Sequence, residues 1–558
     1  MSFPLGDACQ YTRDRHQVLA TLPTRQLMEA LISCYFAAFE PIHRLIHPRE
    51  FYCELNAFWV DHSQPPDIWL SQLCMMAALG CRAAPGHIFR GSGRSAEDWT
   101  DLLLEAGQFF YGECLISTTP SLTMVRTLCL VVTARMMDIV KGTTVPQLVS
   151  LMGVAIRMAM TMHLHRTTSL FPEIGAFEAE MRKRVWVTIQ LLDVDIAMRT
   201  GTSYICHDHD ADVPLNLDDT DISLSERGWT LDVLRRRPSP SLGSYTDSTF
   251  QIKLSELLPL LAEIINAINS PKQKNIEHTK LQDWAAQLQQ KLKEAEDELS
   301  LGMGQHLRPE TADKTNIQRQ FLRVLVHRAL MAMSHEYINT AQARRKCPIA
   351  TRIVVKSATL LLRTQMAWYS ASQDYDGMSA PSRTPSPLLL PATTQTTTGK
   401  PLTRWLVDFC HDDFGAAMLY LMLVLRGRYV DRIQHDDKSG LPSSAEMWSM
   451  LRQSLNISGD RARQSLSHYK EFTGLSIVAG CLQSMETGEP IMPLLQDVAG
   501  EIERRVLCSD SDRHELDVAE MGHLWSSQGG TNHAHHHHQH LAPLPVDFST
   551  DLFEFNYC

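Results

Sequence analysis

The sequence predicts an all-α protein, a body of many helices with a disordered loop and a disordered C-terminal tail. Three observations support this fold class. Apolar residues recur every three or four positions through most of the chain, which is the spacing of one helix face. No segment alternates β-branched and aromatic residues over the length of a half-buried strand. Two long stretches contain too few apolar residues to order themselves in a packed core.

The clearest helical stripes lie in residues 25–39, 253–268 and 280–299. The third stripe has a charged face opposite it, and fits either a short coiled coil or a helix packed on its own domain. It covers fewer than three heptads, which favours the packed helix. The stripe residues are Leu27, Leu31, Tyr35 and Phe39, then Leu254, Leu257, Leu258, Leu261, Ile264 and Ile268, then Leu281, Ala285, Leu288, Leu292, Ala295 and Leu299.

The composition is that of a soluble globular protein. The 558 residues are 44% hydrophobic and 21% charged. The net charge of −11 argues against nucleic-acid binding through the overall charge. The 13 cysteines lack metal-ligand spacing, so we expect free, mostly buried thiols in a reducing compartment. The longest apolar run, Phe414–Leu425, has 12 residues, whereas a bilayer needs roughly 20, so no membrane segment is predicted.

Composition divides the chain into five parts. Residues 1–24 form an N-terminal extension, residues 25–370 a helical body, and residues 404–508 the C-terminal part of the same body. Residues 371–403 are rich in Ser, Thr and Pro, which predicts a disordered loop. Residues 509–558 carry eight acids against one Arg and a His-rich tract, which predicts a disordered tail.

The segment HDHDAD is the strongest candidate for a metal site. Its carboxylates and imidazoles could hold a divalent ion. It lacks the mid-loop Gly and the final Glu of an EF-hand, and the alternative of a solvated loop after a helix is favoured. The residues are His207, Asp208, His209, Asp210 and Asp212.

Two other acidic clusters suggest the Mg²⁺–diphosphate site of a helical cyclase. Asp218, Asp219 and Asp221 have the surroundings of a loop, whereas such a site needs carboxylates at i and i+4 on a helix. The second cluster, His411, Asp412 and Asp413, has the same weakness, and Asp413 is better explained as the N-cap of a helix that begins at Phe414. Nucleophile elbows, phosphate loops and dinucleotide motifs are missing. We therefore predict no catalytic residue, no metal ligand and no enzyme. An all-helical metal-dependent enzyme that uses the Asp clusters is the alternative from another class.

The end of the tail interleaves acids with large apolar side chains. Repulsion between the acids keeps such a segment extended, so its aromatic groups can fold into a partner's groove. This composition is typical of acidic transcriptional activation segments, and a C-terminal element packed on the core is the alternative. The residues are Asp547, Phe548, Asp551, Leu552, Phe553, Glu554, Phe555 and Tyr557.

The segment 180–216 resembles the middle homology region of the fungal-specific transcription factors, the regulators with a binuclear zinc cluster. The matching positions are Glu180, Lys183, Arg184, Val185, Trp186, Leu192, Asp193, Gly201, Ile205, Asp210, Asp212 and Pro214. The segments PIHRLIHPREF, MAALGCRA, GVAIRMAMTMHLHR and FLRVLVHRALMAMS also match, so the likeness runs from about residue 25 to 480. The resemblance implies a structural role for Glu180, Lys183, Arg184, Trp186, Asp193, Gly201 and Pro214.

The chain departs from the family pattern in the middle region and at the N-terminus. Val187 stands where a second aromatic residue is frequent after Trp186. Val194 stands where an Arg is frequent, and Thr202 and Ser203 follow Gly201 where Arg-Pro is usual, so we expect a different network at that turn. The family's zinc cluster uses six Cys beside a basic run, and only Cys9 and Cys34 precede the first matching segment at Pro41. We therefore expect no cofactor in this chain, with zinc only if an upstream zinc-cluster exon is missing, and poor DNA binding by this chain alone.

The resemblance implies a nuclear regulator of transcription that controls a metabolic or secondary-metabolite gene set through a helical regulatory domain. The alternative within this class is a co-regulator without intrinsic DNA binding that pairs with a zinc-cluster factor. Expected partners are co-activators at the acidic tail, a homo- or heterodimer partner of the zinc-cluster type, and a small-molecule effector. DNA is expected only indirectly or through a missing N-terminal module, and no membrane partner is expected.

Helical spacing also predicts the arrangement of the segment 180–216 itself. We expect Glu180 and Arg184 to pair at i,i+4 on a solvated first turn, and Gly201 to end the helix. The Asp residues after Gly201 are expected to form a solvent-facing loop. The predicted buried stripe consists of Val185, Ile189, Leu192 and Ile196, with Trp186 at its edge.

Overall fold

The fold is described from a computed structural model of the chain. It describes residues 14–115, 119–137, 145–222, 245–271, 276–301, 309–376, 404–431, 441–463 and 466–507. Within these ranges the chain forms 19 α-helices and no strand, so the predicted all-α class is confirmed. Packing divides the described residues into two units, one ending at Ile457 and one beginning at Ser458.

Seventeen helices begin in the first unit, and the last of them continues past Ile457. They are α1 (Arg15–Thr21), α2 (Arg25–Ala38), α3 (Glu40–His43), α4 (Pro48–Val60), α5 (Asp67–Ala83), α6 (Ala96–Leu115), α7 (Leu122–Met136), α8 (Val145–Thr161), α9 (Ala176–Thr200), α10 (Thr249–Ile268), α11 (His278–Ser300), α12 (Pro309–Ile338), α13 (Ala341–Lys346), α14 (Pro348–Asp376), α15 (Arg404–Phe409), α16 (His411–Asp431) and α17 (Ser444–Arg461).

Local sequence signals set several helix ends. Ser121 accepts a hydrogen bond from the N–H of Met124 at 3.2 Å and begins α7, and Thr340 accepts one from Ala343 at 3.1 Å and begins α13. Gly201 has a φ of 67°, the left-handed conformation that favours glycine, and it ends α9 as predicted.

Helix α5 lies in the core and contacts α2, α6 and α7. Its approach to α2 depends on Gly80, where an added Cβ would lie 2.2 Å from the carbonyl oxygen of Leu31. Any larger residue at position 80 would therefore push the two helix backbones apart.

Helix α9 is buried along most of its length and contacts α7, α8, α10 and α12. The predicted stripe is confirmed, because each of its four side chains is at most 2% exposed. Charged side chains on the other faces of α9 are buried as well. The helix therefore lacks the polar face that a surface helix presents to water.

The three predicted helical segments are confirmed as α2, α10 and α11. Because α11 packs against α10 and α12, the packed helix is correct and the coiled coil is not. Residues 371–376, predicted as the start of a loop, form the end of α14. The rest of that loop, the His-rich tract 533–540 and the acidic–aromatic segment 547–557 lie outside the described residues.

The second unit contains the end of α17 together with α18 (Leu466–Thr487) and α19 (Ile491–Leu507). Ala462, Phe472 and Ile502 form its buried cluster. The guanidinium of Arg505 lies 5.7 Å from the ring centroid of Phe472, and its Nε lies 2.6 Å from Glu501. The buried cluster and the Arg505–Phe472 contact hold α19 against α18, whereas the Arg505–Glu501 pair lies within α19.

Membrane-spanning helices and disulfides are both missing from the part of the chain that the structure describes. No helix there combines the length and apolar character needed to cross a bilayer. The described cysteines form no disulfide, and seven of them are buried, as expected for thiols that pack as small apolar groups.

Candidate functional site

Buried charges occupy both ends of α9, the helix that carries most of the predicted motif residues. The N-terminal cluster consists of Arg44, Glu180, Lys183, Arg184 and Asp219. The C-terminal cluster consists of the buried Asp195, Arg199, Arg328 and Asp413 together with the partly exposed Asp412.

Asp219 is the centre of the N-terminal cluster. Its carboxylate accepts hydrogen bonds from Arg184 at 2.7 Å and from Arg44 at 3.0 Å. Burial by itself would raise the pKa of Asp219, but the two guanidiniums outweigh burial and hold this pKa well below its usual range. Asp219 is therefore ionised, and a residue that the sequence offered as a metal ligand is a counter-ion for two arginines.

The backbone around Asp219 is held as well. Its N–H donates to Asp247 at 3.1 Å, and Asp247 pairs with Lys314 near the start of α12. Arg184 donates a second hydrogen bond to the hydroxyl of Ser248, 3.1 Å away, just before α10. The N-terminal cluster thus connects α9 with the end of α3, with α10 and with α12.

The turn of α9 that holds Glu180 and Arg184 is buried, so the prediction that it is solvated is wrong. Glu180, Lys183 and Arg184 are at most 2% exposed. The predicted i,i+4 pair is present, with Arg184 Nε 3.6 Å from Glu180, and Lys183 Nζ lies 3.3 Å from the same carboxylate. Glu180 also accepts the N–H of Leu215 at 3.0 Å. The pairing is required here because an unpaired buried charge is costly.

The C-terminal cluster connects α9 with α12 and α16. Asp195 pairs with Arg199 at 3.2 Å and with Arg328, which also lies 3.0 Å from Asp413. The prediction that Asp413 caps a helix from Phe414 is wrong. Helix α16 begins at His411, so Asp413 lies inside its first turn and faces buried arginine.

The turn after Gly201 is held by hydrogen bonds to Asp193 and Asn269. Asp193 accepts the N–H groups of Ile205 at 2.7 Å and Cys206 at 3.0 Å. Burial raises the pKa of Asp193, and these two hydrogen bonds act against that rise. Asn269, at the end of α10, donates to the carbonyl of Thr202 at 2.7 Å.

The acids of the following loop have structural partners or face solvent. Asp210 accepts from Arg166 at 2.8 Å, and this hydrogen bond lowers the pKa of Asp210. Asp212 is half-buried and accepts the N–H of Thr168 at 3.0 Å. His207 and Asp208 are exposed, so the solvent-facing loop is confirmed for most of its length. Within the described ranges no group of three or more His, Cys, Asp and Glu is placed to hold a metal ion.

The two remaining motif residues are buried. Trp186 is 1% exposed, and its ring centroid lies 5.8 Å from that of His209 and 6.0 Å from that of His165. Pro214 is buried where the loop returns to α9. Trp186 therefore joins the exit loop to the turn after α8.

Comparison with known proteins identifies the part of the chain that contains α9. Residues 32–297 match the family described as fungal specific transcription factor domain. This region is a fungal-specific transcription factor domain. The family consists of transcription regulators, not enzymes.

Three relatives illustrate the match. The transcription factor opdR of Penicillium oxalicum is 30% identical over 267 residues, 47% of this chain and 31% of the relative. The Zn(2)-C6 fungal-type transcription factor mpsB of Macrophomina phaseolina is 27% identical over 263 residues, 46% of this chain and 34% of the relative. The fusarisetin A cluster transcription factor fsa6 of a Fusarium species is 26% identical over 222 residues, 38% of this chain and 29% of the relative. The chain thus spans about a third of the length of these relatives.

Sequence reasoning missed three residues that hold α9 in place, which are Arg44, Arg328 and Asn269. It considered Asp219 only as part of a candidate metal site. Arg44 and Arg328 lie in segments that matched the family, where each follows a histidine and precedes apolar residues. A charge next to apolar residues of a helical stretch indicates a buried partner, and this signal could have found both arginines.

The arrangement is suited to positioning and not to bond-breaking chemistry. Each described carboxylate of the two clusters lies against arginine or lysine, and no nucleophile with an adjacent base is formed by them. The clusters fix α9 against helices that are far apart in sequence. Any signal that shifts α9 would therefore have to move several helices of the domain together.

Proposed function

We propose that this chain is a nuclear regulator of transcription that controls a fungal secondary-metabolite gene set. The match of residues 32–297 to the fungal-specific transcription factor domain carries this proposal. The similarity to a factor named for the fusarisetin A cluster supports the gene-set part. In the proposed division of labour, the helical domain regulates and the acidic tail activates.

The proposed partners follow from the same division. Co-activators contact the acidic–aromatic segment, and a zinc-cluster factor or a second copy of the chain contacts the helical domain. Lys183 and Arg184 are buried, so the basic start of α9 is not available to DNA phosphates. We therefore propose that DNA is reached indirectly or through an N-terminal zinc module, which would also be the source of any zinc. A small-molecule effector completes the set, and no membrane partner is proposed.

The activation part is tested by fusing residues 541–558 to a foreign DNA-binding domain. We expect the fusion to activate a reporter gene. Replacing Phe553 and Phe555 with Ala is expected to reduce the reporter signal at least about fivefold, because aromatic anchors dominate such contacts.

The matched control replaces Ser549 and Thr550 with Ala in the same fusion, which leaves the acids and aromatic residues in place. Its activity should equal that of the unaltered fusion. A silent fusion, or equal loss in the control and the Phe variants, contradicts an acidic–aromatic activation segment.

The gene-set part is tested in the native host by deleting and overexpressing the gene and measuring all transcripts. We expect the transcripts of one secondary-metabolite cluster to change in one direction on deletion and in the opposite direction on overexpression. Chromatin occupancy of the tagged chain, compared with DNA binding by the purified chain, separates a DNA-binding factor from a co-regulator. Occupancy in cells without binding by the purified chain supports the co-regulator, and a transcript profile without any cluster response contradicts the proposal.

A further inference from the structure

A cavity of about 730 Å³ lies between α12 and α14, with the start of α17 along one side. Its volume is within the roughly 300–1,000 Å³ range of small-molecule sites. Asn316 and Gln320 line it from α12, one helical turn apart, and Lys356, Thr359 and Arg363 line it from successive turns of α14. The family match ends at residue 297, so the α12 and α14 walls lie beyond the matched domain.

One polar group in the cavity wall has no partner. Thr359 is 6% exposed, and its hydroxyl forms no hydrogen bond within the described part of the chain. Its neighbour Thr364 bonds back to the carbonyl of Leu360 at 2.9 Å, which is the usual solution for a threonine inside a helix. A buried hydroxyl without a partner is rare in folded proteins. The hydroxyl of Thr359 is therefore available to a molecule in the cavity.

The cavity wall carries more positive than negative charge. Lys356 and Arg363 are exposed and form no ion pair within 4.0 Å among the described residues. Arg323 also lines the cavity and is paired with Glu296. The one acid of the wall, Glu446, accepts the N–H of Ser443 at 2.7 Å, and the charge of Arg363 acts on it without a direct ion pair. Two cations of the wall, Lys356 and Arg363, thus face one acid and keep a net positive charge for an anion.

Part of the wall is apolar. Leu360, Ala367 and Trp368 line the cavity from α14, and Leu441 and Pro442 line it from the segment before α17. Trp368 is 5% exposed, and its ring lies 5.9 Å from that of Phe414, which holds it in place. This wall matches a hydrocarbon or aromatic body and not a small inorganic ion.

We propose that this cavity binds a small organic acid, with its carboxylate at Lys356 and Arg363, a hydrogen bond to Thr359, and its apolar body against Trp368. Two cations one helical turn from a free hydroxyl suit a carboxylate. Its use as the effector site of a regulator rests on the proposed function, whereas the binding itself does not. Binding is therefore measured on the purified full chain, so that its failure is distinct from a silent reporter.

The experiment titrates the full chain with octanoate by calorimetry, with octanamide and inorganic phosphate as comparison ligands. We expect octanoate to bind at least about tenfold more tightly than octanamide, which lacks the charge, and than phosphate, which lacks the apolar body. Equal affinity for octanoate and octanamide, or no binding of octanoate at millimolar concentration, overturns the proposal.

Three variants test the assignment of residues. Lys356→Gln with Arg363→Gln should weaken octanoate binding about tenfold or more, and Ala367→Trp should abolish it by filling the cavity. The control Lys293→Gln removes an exposed charge from α11 and should change the affinity less than twofold. Loss of affinity in the control equal to that in the double variant overturns the site.

Thr359→Val gives a readout that needs no ligand. Valine has nearly the same shape without the unpaired hydroxyl, so the variant should unfold at a higher urea concentration than wild type while binding octanoate about fivefold more weakly. A variant that unfolds earlier would show that the hydroxyl has an internal partner, and this result would overturn the proposed hydrogen bond.

Discussion

Helix α9 and the loop that follows it are adjacent in sequence and contain the same types of charged residue. These residues are buried and paired in the helix, whereas most of them are exposed in the loop. In α9, Glu180, Arg184 and Asp195 are almost completely buried and paired. In the loop, Asp208 and Asp210 are exposed. The amino-acid types alone do not distinguish buried, paired charges from exposed ones. The loop even has the composition of a candidate metal site. Burial separates the two kinds of charge, because it determines what a lost partner costs.

The difference has a simple physical basis. A buried charge loses its hydration free energy, and only an opposite charge at short distance can offset that loss. An exposed carboxylate keeps its water, so its ion pairs add little. The buried side of the comparison therefore predicts large effects of substitution, and the loop predicts small ones.

The largest effect is expected for Arg184→Met. This change leaves the carboxylate of Asp219 with one of its two guanidiniums and removes a partner of Glu180. Removing one member of a buried ion pair costs about 3–5 kcal/mol, and we expect a loss of that order in urea unfolding. The control Arg25→Met breaks an exposed i,i+4 pair with Glu29 and should cost about 1 kcal/mol or less. Equal losses in the two variants would contradict a dry N-terminal cluster.

The second effect concerns pH and the buried His43 beside α9. Its ring is 0% exposed without a hydrogen bond to either nitrogen among the described residues, and burial lowers its pKa from 6.5 to about 4. The folded protein thus disfavours the charged ring. The contribution of His43 to stability is complete above pH 6.5 and is lost as the pH falls towards 4, to a limit of about 3 kcal/mol.

The measurement for His43 compares urea midpoints between pH 7 and pH 4 in wild type and in His43→Leu. The variant should lose less stability than wild type over this interval, whatever its stability at pH 7. The exposed His87 serves as control through His87→Gln, which should keep the wild-type slope. Identical slopes for wild type and His43→Leu would contradict a neutral buried ring.

A smaller effect is expected for Asp212→Asn at the half-buried end of the loop. Asp212 accepts from the N–H of Thr168 at 3.0 Å and from its hydroxyl at 2.8 Å. Both bonds go to the same carboxylate oxygen, and an amide oxygen can accept both, but it carries no charge to strengthen them. The expected loss in thermal or urea unfolding is therefore about 1 kcal/mol. A loss as large as that of Arg184→Met would place Asp212 with the buried clusters.

The smallest effect is expected for Asp210→Asn, in the exposed part of the loop. Its hydrogen bond to Arg166 joins two half-exposed side chains. We expect the urea midpoint to equal that of wild type within error, and metal titration by calorimetry to give no heat in either protein. A clear metal-binding heat that Asp210→Asn abolishes would revive the metal site.

The stripes in residues 25–39, 253–268 and 280–299 could be predicted because each helix packs on one side, so its period is visible in the residues. The end of α9 at Gly201 was predictable for a local reason too, since glycine accepts the left-handed conformation. The burial of Arg184 could not be predicted, because its counter-ion Asp219 is 35 residues away in the sequence. Nor could the cavity, since Asn316 and Arg363 lie on different helices.

The sequence by itself determined the all-α class, the helices with a one-sided apolar stripe, and the resemblance to fungal-specific transcription factors. These properties depend on neighbours within a few turns of the chain. Only the tertiary structure decided that Asp219 is a counter-ion, that Asp413 lies inside a helix, and that Thr359 faces a cavity without a partner. The physical reason is that the cost of a charge or a hydroxyl depends on what surrounds it, and the surroundings come from distant parts of the chain.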